Sequence, residues 1–413
     1  MNRIPFSLII NRVAIAIAFV GIFLESTYAQ SAKETVLHSF AGASDGADPV
    51  AGLVADPSGN LYGTTSSGGN GACQGGCGTV FKLSRNPDGT WSETQLYSFS
   101  GGQDGAFPNA GVVFDRSGSL YGATLHGGTT NDGTIFRLTP PSSLDGPWTE
   151  TVLHNFLEDS DGSYCFGALT FDPLGNLYGA AFFGGPYSGG TVFQLVPPQS
   201  GESWTFNVLH AFKGTVDGID PLGAVVLDKN RAVYGTTHDG TVFRLRPPAS
   251  GRSAWSISVL YHFGSTAAVG ALLPGRPASL LGTTALGGAN NDGTVFQLTP
   301  PLQPGQPWTA VTLYEFQGGN DGVYPLNGLV ADGLGNLYGV TATGGFFNAG
   351  TVFRLSPSTT HADTWTKTTL YNFGSGRNGS DPGAGVILGK QVLYGTTSSG
   401  GLSGNGTVFQ LKP

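Results

Sequence analysis

The sequence predicts an all-β fold: a seven-bladed β-propeller with four antiparallel strands in each blade. A phrase close to L-Y-G-T-T, G-G and G-T-V-F recurs seven times along the 413 residues. Each copy contains four short runs rich in Val, Thr, Tyr, Phe and Leu between Gly, Pro, Asn or Asp clusters, which is the signature of strands. After the N-terminus no stretch has an amphipathic helical pattern over three turns. Four strands in a unit of about 40 to 50 residues is the propeller pattern.

The repeated phrases set the order of the strands within a unit. L-Y-G belongs to the second strand, although Leu281 replaces its tyrosine in the fifth unit, and each tryptophan stands five residues before a leucine of the fourth strand. In the sixth unit the patterns predict strands over 328–332, 336–341, 351–355 and 365–373. The G-T-V-F core of the third strand begins at Gly78, Gly133, Gly190, Gly240, Gly293, Gly350 and Gly406.

The two ends of the repeat region predict how the ring closes. Residues 34–40 are a copy of a fourth strand, and Leu411 lies in a third strand. We therefore expect the N-terminal strand to complete the seventh blade from outside, which leaves no blade edge unpaired. In the fifth unit, residues 265–269 replace the Asp-Gly segment. A decayed blade and a docking notch both remain open there.

The first 29 residues resemble a secretory signal, followed by one domain over 30–413. Arg3 and Arg12 form the basic region, residues 13–24 the apolar region, and 27–29 a small-x-small cleavage site. A periplasmic or secreted protein without a membrane span after cleavage is expected. An uncleaved anchor is the alternative, but the apolar run is shorter than the ~20 residues of a spanning helix.

Composition narrows the classes of partner. Charged residues make up 11% of the chain, against about 25% in an average soluble protein. The net charge is −8, and an acidic protein without a basic stripe repels nucleic acid and anionic lipid. We expect a monomer that binds no nucleic acid.

The repeat resembles a known family. G-N-L-Y-G-T-T-S-S-G-G over 59–69 with G-T-V-F-K-L over 78–83 is similar to the GloVer, or Gloeo_Verruco, tandem repeat of secreted bacterial proteins. The resemblance runs from Glu34 to the end of the chain. The order G-L-V-x-D-x-x-G-N-L-Y also resembles the first two strands of NHL-type and streptogramin-lyase-type propellers. These likenesses imply strands that run from innermost to outermost, and they imply no established activity.

Export makes the three cysteines informative, because oxidising compartments permit disulfides. Cys73 and Cys77 lie in the loop between the second and third strands of the first unit, and we expect a local disulfide there. A zinc site is disfavoured because zinc prefers four ligands and no histidine is near in sequence. Cys165 is interpreted as a free thiol in a loop and not as a nucleophile.

An Asp-Gly pair follows the fourth strand in most units. Strand alternation puts these loops on the same face as the Gly-Gly loops, around the mouth of the central channel, where propellers usually present ligand sites. Asp-Gly also builds turns without any ligand, so turn building, ligand binding and a structural calcium ion all remain open. The candidate ligand-binding residues are Asp45, Asp104, Asp161, Asp217, Asp321 and the replacement Asn378.

The other candidate ligand-binding residues lie on this face at positions where the sequence departs from the repeat. His126 replaces a small residue before a Gly-Gly pair, and His238 with Asp239 forms a shortened loop. The aromatic pairs at 182–183 and 346–347 also break the pattern. We predict ligand-binding roles for His126, His238 and Asp239.

The regular aromatic residues favour packing over sugar stacking. In the fourth strand the tryptophan, the tyrosine or histidine, and the phenylalanine stand at offsets 0, 6 and 8. Even offsets predict one shared face that packs between blades. His38, His154 and His210 take the tyrosine position and are interpreted as partly exposed blade residues.

The preferred functional hypothesis is a secreted, non-catalytic propeller that binds a glycan, a peptide or an envelope protein through its loop-bearing face. No nucleophile elbow, H-E-x-x-H, P-loop or Rossmann phrase stands between a strand and a helix, so no catalytic residue is assigned. The alternative is an extracellular lyase or hydrolase of the streptogramin-lyase type. Its acid and base would come from Asp104, His126, Asp217, His238 or Asp239. A structural or matrix role is the third hypothesis.

Overall fold

Seven four-stranded antiparallel sheets form the fold. The computed structural model describes residues 32–413 except 144–145, 200–202, 215, 250–253, 265–267, 277, 304, 359, 361–363 and 375. The predicted signal over 1–29 lies outside the described residues. Seven hydrophobic clusters each join two neighbouring blades, and one of them joins Val408 of the seventh blade to Phe81 of the first. The sheets therefore close into the predicted ring.

The strands follow one another from the innermost to the outermost position in every blade. Short helical turns lie at Ala43–Asp45, Glu158–Asp161 and Gly319–Asp321. No helix in the described ranges has the length and apolar composition that a bilayer span requires. The strands are, in blade 1, β2 (Val54–Ala55), β3 (Leu61–Thr65), β4 (Thr79–Arg85) and β5 (Trp91–Ser98); in blade 2, β6 (Val113–Phe114), β7 (Leu120–Ala123), β8 (Thr134–Thr139) and β9 (Thr149–Asn155); in blade 3, β10 (Thr170–Phe171), β11 (Leu177–Ala181), β12 (Thr191–Val196) and β13 (Thr205–Ala211); in blade 4, β14 (Val226–Leu227), β15 (Val233–Thr236), β16 (Thr241–Arg246) and β17 (Ser256–His262); in blade 5, β18 (Ala268–Pro274), β19 (Leu280–Thr284), β20 (Thr294–Thr299) and β21 (Thr309–Glu315); in blade 6, β22 (Val330–Ala331), β23 (Leu337–Thr341), β24 (Thr351–Pro357) and β25 (Trp365–Asn372); and in blade 7, β26 (Ile387–Leu388), β27 (Leu393–Thr397), β28 (Thr407–Lys412) and β1 (Lys33–Ser39).

The N-terminal strand closes the ring as predicted. β1 pairs antiparallel with β28, with Glu34 opposite Leu411, and supplies the outermost strand of blade 7. Blade 5 is also complete, because its first strand is seven residues long and pairs Ala268 with Thr284. The fifth unit is therefore not decayed. An extended inner strand stands where the other blades have an Asp-Gly loop or, in blade 7, an Asn-Gly loop.

The glycine of L-Y-G and the phenylalanine of G-T-V-F are repeated because they pack on each other. Gly63 lies directly across from Phe81 in the β3–β4 ladder. A Cβ at Gly63 would lie 2.7 Å from the Phe81 ring, and the same pairing recurs in all seven blades. The ring of each phenylalanine therefore occupies the space that a larger side chain at the glycine would need.

The first glycine of G-T-V-F allows neighbouring blades to approach. A Cβ on Gly78 would lie 2.5 Å from Cδ of Pro108, which belongs to the loop before the first strand of blade 2. Gly406 of blade 7 meets Pro49 of blade 1 at the same distance. The recurring proline thus packs against the preceding blade, a contact that also helps to join the two ends of the ring.

The prediction that the outer-strand aromatics share one face is wrong. A bulge interrupts every outer strand; in blade 1, Gln95 pairs with Phe81 and Tyr97 pairs with Val80, so Leu96 is the extra residue. One extra residue reverses the alternation of side chains. Trp91 consequently packs in the cluster shared with blade 7, whereas Tyr97 packs in the cluster shared with blade 2. The predicted packing between blades is present, but on both faces of the strand.

Candidate binding face

The Asp-Gly loops and the Gly-Gly loops lie side by side on one face of the ring. Backbone bridges join them in blade after blade; Ala47 pairs with Ser67, and Ala106 pairs with His126. The connections between first and second strands lie at the opposite ends of the strands. The face that carries these paired loops is called the loop face below.

The Asp-Gly aspartates make hydrogen bonds within their own loops. The Asp161 carboxylate lies 2.9 Å from Nε2 of His154 and accepts a 2.7 Å bond from the backbone N–H of Leu157. Asp104 accepts from the hydroxyl of Tyr97 at 3.0 Å and from the backbone N–H of Ser100 at 2.8 Å. Asp217 is linked to His210 and Asp321 to Tyr314 in the same way. The Asp45 carboxylate lies 3.3 Å from Nε2 of His38, and the Asn378 amide donates to the hydroxyl oxygen of Tyr371.

These contacts are those of turn-building residues, and they give the outer-strand histidines and tyrosines their partners. The side chains of His38, His154 and His210 are between 17% and 20% exposed. Burial lowers the pKa of His38 and of His210, against the opposing effect of Asp45 and Asp217. A ligand role for the aspartates stays a prediction.

The cysteines differ in state. Cys73 and Cys77 form a disulfide with a Cα–Cα distance of 5.1 Å in the loop between β3 and β4. Cys165 is free and completely buried. Burial raises the pKa of its thiol to about 12, so the thiol stays protonated at neutral pH.

Four positions in each of five blades form the inner rim of the loop face, and we call them the rim quartet. Two come from the loop before the first strand and two from the loop after the second strand. The second member of each quartet lines a central cavity of about 630 Å³. Blade 4 has the shortened set Asp220, Leu222 and His238. The quartets are Asp48, Val50, Ser66 and Ser67 in blade 1; Phe107, Asn109, Leu125 and His126 in blade 2; Tyr164, Phe166, Phe182 and Phe183 in blade 3; Tyr324, Leu326, Ala342 and Thr343 in blade 6; and Asp381, Gly383, Ser398 and Ser399 in blade 7.

The backbone of the rim is the same whatever side chains it carries. The backbone N–H of Ser66 donates to the carbonyl of Asp48 at 3.0 Å, and that of Phe182 donates to the carbonyl of Tyr164 at 3.1 Å. The first member has a positive φ in every case, 55° at Asp48 and 57° at Tyr164. Bulky residues rarely adopt this conformation. Aromatic side chains are therefore not needed to build the rim.

Seven rings nevertheless form a continuous row across blades 2, 3 and 4, which we call the aromatic arc. It runs from Phe107 to His126 (5.7 Å between ring centroids), to Tyr164 (5.0 Å), to Phe183 (5.8 Å) and to Phe182 (4.5 Å), which contacts both Phe166 (5.3 Å) and His238 (6.1 Å). His126 and His238, predicted as site residues, thus lie in one feature, and Phe166 carries it to the wall of the central cavity.

Polar groups lie at the blade 4 end of the arc. The backbone N–H of His238 donates to the carbonyl of Asp220 at 2.9 Å, and burial raises the pKa of the Asp220 carboxyl. Asp239 accepts a 2.6 Å bond from the hydroxyl of Thr237. At the other end, Nδ1 of His126 lies 3.4 Å from the carbonyl oxygen of Asn131.

Several contributors were missed by sequence reasoning. Phe107, Tyr164 and Asp220 stand at the position before the recurring proline, or before Cys165 in its place, where the repeat tolerates both aromatic and acidic residues. No recurring residue type identifies this position in the repeat. Comparison of the residue before each proline could have found it. In the described part of the chain no three His, Cys, Asp or Glu side chains converge as a metal site would require.

Two solved structures illustrate the related fold. A protein from Bacteroides uniformis that is provisionally assigned as a 6-phosphogluconolactonase matches at 14% identity and TM-score 0.50, covering 78% of this chain and 84% of its own. A fungal alcohol oxidase of the AA5 family, in complex with copper, matches at 16% identity and TM-score 0.54, covering 92% of this chain and 76% of its own. These identities establish similarity of fold alone.

Among curated proteins, none matches the sequence. The model of the Gloeobacter/Verrucomicrobia repeat matches residues 21–242 and 237–413. The two matches include all of the ring, from β1 to β28, whereas the NHL-type resemblance stays a prediction. This chain belongs to the Gloeobacter/Verrucomicrobia repeat family.

Proposed function

We propose that the protein is an exported, non-catalytic binding module that holds its ligand against the loop face. One observation carries the proposal: the rim keeps one backbone geometry while its residues change from mostly polar in blades 1 and 7 to fully aromatic in blade 3. A scaffold of fixed loops with variable tips is how binding proteins present contact residues. The glycan, peptide and envelope-protein hypotheses all use this face.

The test compares the two faces of the ring. The full chain, produced with its own leader, is immobilised and offered neutral and anionic polysaccharides, peptide libraries and purified envelope proteins. The variant Phe183→Ser/His238→Ser changes the arc, and Leu174→Ser, at a side chain 67% exposed in the turn between β10 and β11, is the matched control on the opposite face. We expect only the arc variant to lose binding. Equal loss in both variants, or no ligand at all, would reject the proposal.

Export is part of the proposal. The predicted leader over 1–29 would direct secretion, and a disulfide such as Cys73–Cys77 is typical of oxidising compartments. Fractionation of bacteria that express the full chain or a chain without residues 2–29 tests it. Recovery of both forms in the cytoplasm, with reduced cysteines, would contradict export.

An extracellular hydrolase or lyase is the second candidate. The observation that favours it is the partly buried Asp220 carboxyl beside His238 on the loop face, because burial raises the pKa of this carboxyl in the direction that a general acid needs. If turnover of a polymer or lactone is found, Asp220→Asn and His238→Ala should each reduce it at least tenfold, a general acid being worth about 10²–10⁴ in rate. Unchanged turnover in both variants would eliminate this assignment.

A further inference from the structure

We infer that the ligand of the aromatic arc is the chain of a neutral polysaccharide. This inference rests on the proposed function and assigns the chemical class of the ligand. The starting point is that the hydrogen bonds of the rim do not require aromatic side chains. Blades 1 and 7 make the same rim hydrogen bonds with Asp48, Ser66, Asp381 and Ser398 where blades 2 and 3 have mostly aromatic residues.

The aromatic residues also carry a conformational cost. Phe107 and Tyr164 have φ values of 56° and 57°, and a bulky side chain in this left-handed region is strained. Asn or Gly would relieve the strain at both positions. Phe107 also packs against the hydrophobic cluster between blades 1 and 2, whereas Tyr164 belongs to none of the seven clusters of the described residues. A strained aromatic side chain outside the core indicates contact with something outside the chain.

The rings of the arc are accessible. Phe183 is 41% exposed and His238 is exposed, while Phe107, Tyr164 and Phe182 are half-buried. Ring centroids follow one another at 4.5 to 6.1 Å, and each pair named above is edge-to-face. Successive rings thus alternate between face and edge. Together they form an apolar row that is one ring wide. A sugar chain fits this row because each pyranose presents apolar C–H faces and a rim of hydroxyls.

The margins of the arc suit hydroxyl groups and disfavour anions. The Tyr164 hydroxyl and the imidazoles of His126 and His238 lie along the row, and the carboxylates of Asp220 and Asp239 lie at its blade 4 end. Carboxylates accept hydrogen bonds from sugar hydroxyls and repel uronate or sulfate groups. The chain is acidic overall, with a net charge of −8.

An extended peptide is less well matched to the rim. Peptides that join a sheet need a strand edge with unpaired backbone groups. At blade 3 the rim loops are bonded to each other, with the N–H groups of Phe182 and Phe183 donating to the carbonyls of Tyr164 and Ser163. The apolar row therefore offers side-chain contacts without backbone pairing.

The arc has two defined ends. At one end blade 1 carries the polar Asp48, Ser66 and Ser67, and at the other end blade 5 replaces the rim loop with the extended strand β18. The arc is thus limited to three blades. A ligand segment of a few sugar units would cover it, which makes hexasaccharides suitable probes.

Calorimetric titration of the full chain with neutral and anionic hexasaccharides tests the inference. The neutral probes are the hexamers of β-1,4-linked glucose, N-acetylglucosamine, xylose and mannose, and the anionic probe is hexagalacturonate. We expect at least one neutral hexamer to bind and hexagalacturonate not to bind. Phe183→Ala and Phe107→Asn should each weaken binding about tenfold or more, since a buried phenylalanine contributes that much to an apolar contact. Phe347→Ala, at a side chain 61% exposed on the same face outside the arc, should change affinity less than twofold.

The outcomes separate this inference from the proposed function. Failure of every neutral hexamer to bind, equal binding of hexagalacturonate, or an equal loss in Phe347→Ala overturns the polysaccharide assignment. Arc-dependent binding of a peptide or protein without any saccharide binding also overturns it, but leaves the binding module intact. Turnover of a probe, or binding that no loop-face variant alters, overturns the proposed function itself. Thermal unfolding of each variant confirms that a loss of affinity is not a loss of fold.

Discussion

Three partly buried glutamates make the stability of the ring depend on pH. Glu34, Glu93 and Glu150 occupy one repeat position on the outer strands of blades 7, 1 and 2, each facing the preceding blade. In each, Oε1 is buried without a hydrogen-bond partner. Burial raises the pKa of each carboxyl to about 7; Asp45 adds to the effect at Glu93 and Asp104 adds to it at Glu150.

The sign and size of this pH dependence of stability follow from the linkage between proton binding and folding. A raised pKa in the folded state means that folding favours the protonated form, so the stabilisation is complete below the unfolded value of 4.5 and is lost as pH rises through about 7. A shift from 4.5 to about 7 corresponds to about 3 kcal/mol before screening. Because the sites are only partly buried, solvent screening reduces this to about 1 kcal/mol for each carboxyl. The triple variant should therefore gain roughly 3 kcal/mol at pH 8 relative to wild type.

Urea unfolding at pH 4.5 and at pH 8 measures this difference. Glu34→Gln/Glu93→Gln/Glu150→Gln should match the wild type at pH 4.5, where the wild-type carboxyls are mostly protonated, and exceed it at pH 8. His38 and His210 titrate in an overlapping window with the opposite sign, because burial lowers their pKa. Their contribution cancels in the comparison of the two proteins. Glu158→Gln, at an exposed residue, serves as the control. Equal free energies of unfolding at pH 8 would refute the reasoning.

Three further predictions test the packing and the ion chemistry. Glu150→Lys should raise stability at pH 8, because the equivalent Lys367 of blade 6 pairs with an Asp-Gly aspartate at 2.7 Å; a lower free energy of unfolding would show that the two interfaces are not equivalent. Gly63→Ala should destabilise by about 1–3 kcal/mol through overpacking against the Phe81 ring 2.7 Å away, whereas Gly52→Ala, with nothing within 4 Å, should be nearly neutral in the same urea titration. EDTA should leave the thermal midpoint unchanged, since the Asp-Gly carboxylates already accept hydrogen bonds from backbone N–H groups of their own loops; a fall in the midpoint restored by calcium would reveal a structural ion.

The ring could be predicted from the sequence because its determinants are periodic. The Gly63–Phe81 contact within a blade and the Gly78–Pro108 contact between blades recur around the ring, so the repeat displays them. The closing strand could be recognised for the same reason, since residues 34–40 copy a motif found in every other unit. The face of the outer strand on which each aromatic side chain lies could not be predicted. The extra residue at Leu96 leaves the sequence period unchanged while it reverses the side chains beyond it.

The arc shows the opposite relation between sequence and structure. His126, His238 and the pair at 182–183 could be identified because they depart from the repeat, but their common location could not. Tyr164 and Phe183 lie in different loops, 5.8 Å apart between ring centroids, and His126 reaches Tyr164 only across a blade boundary. These contacts depend on the left-handed backbone at Tyr164 and on how closely blades 2 and 3 approach. The repeat pattern of the sequence shows neither the backbone conformation at Tyr164 nor the distance between blades 2 and 3.

Two classes of position have different roles in this molecule: framework positions join strands and blades, and rim positions form the inner rim of the loop face. Framework positions use side chains to join strands and blades, so a change at Gly63 or Pro108 is transmitted to a neighbour. Rim positions are joined by the same backbone hydrogen bonds in each of these blades, and side chains such as Ser66, whose hydroxyl donates to the Asp48 carbonyl at 3.1 Å, only add to them. Asp48 and Tyr164 can therefore occupy the same place with nearly the same φ. A symmetric scaffold can therefore carry an asymmetric surface without a change of fold. It follows that substitutions in the arc should alter ligand affinity much more than the free energy of unfolding, whereas substitutions at the framework glycines should do the reverse.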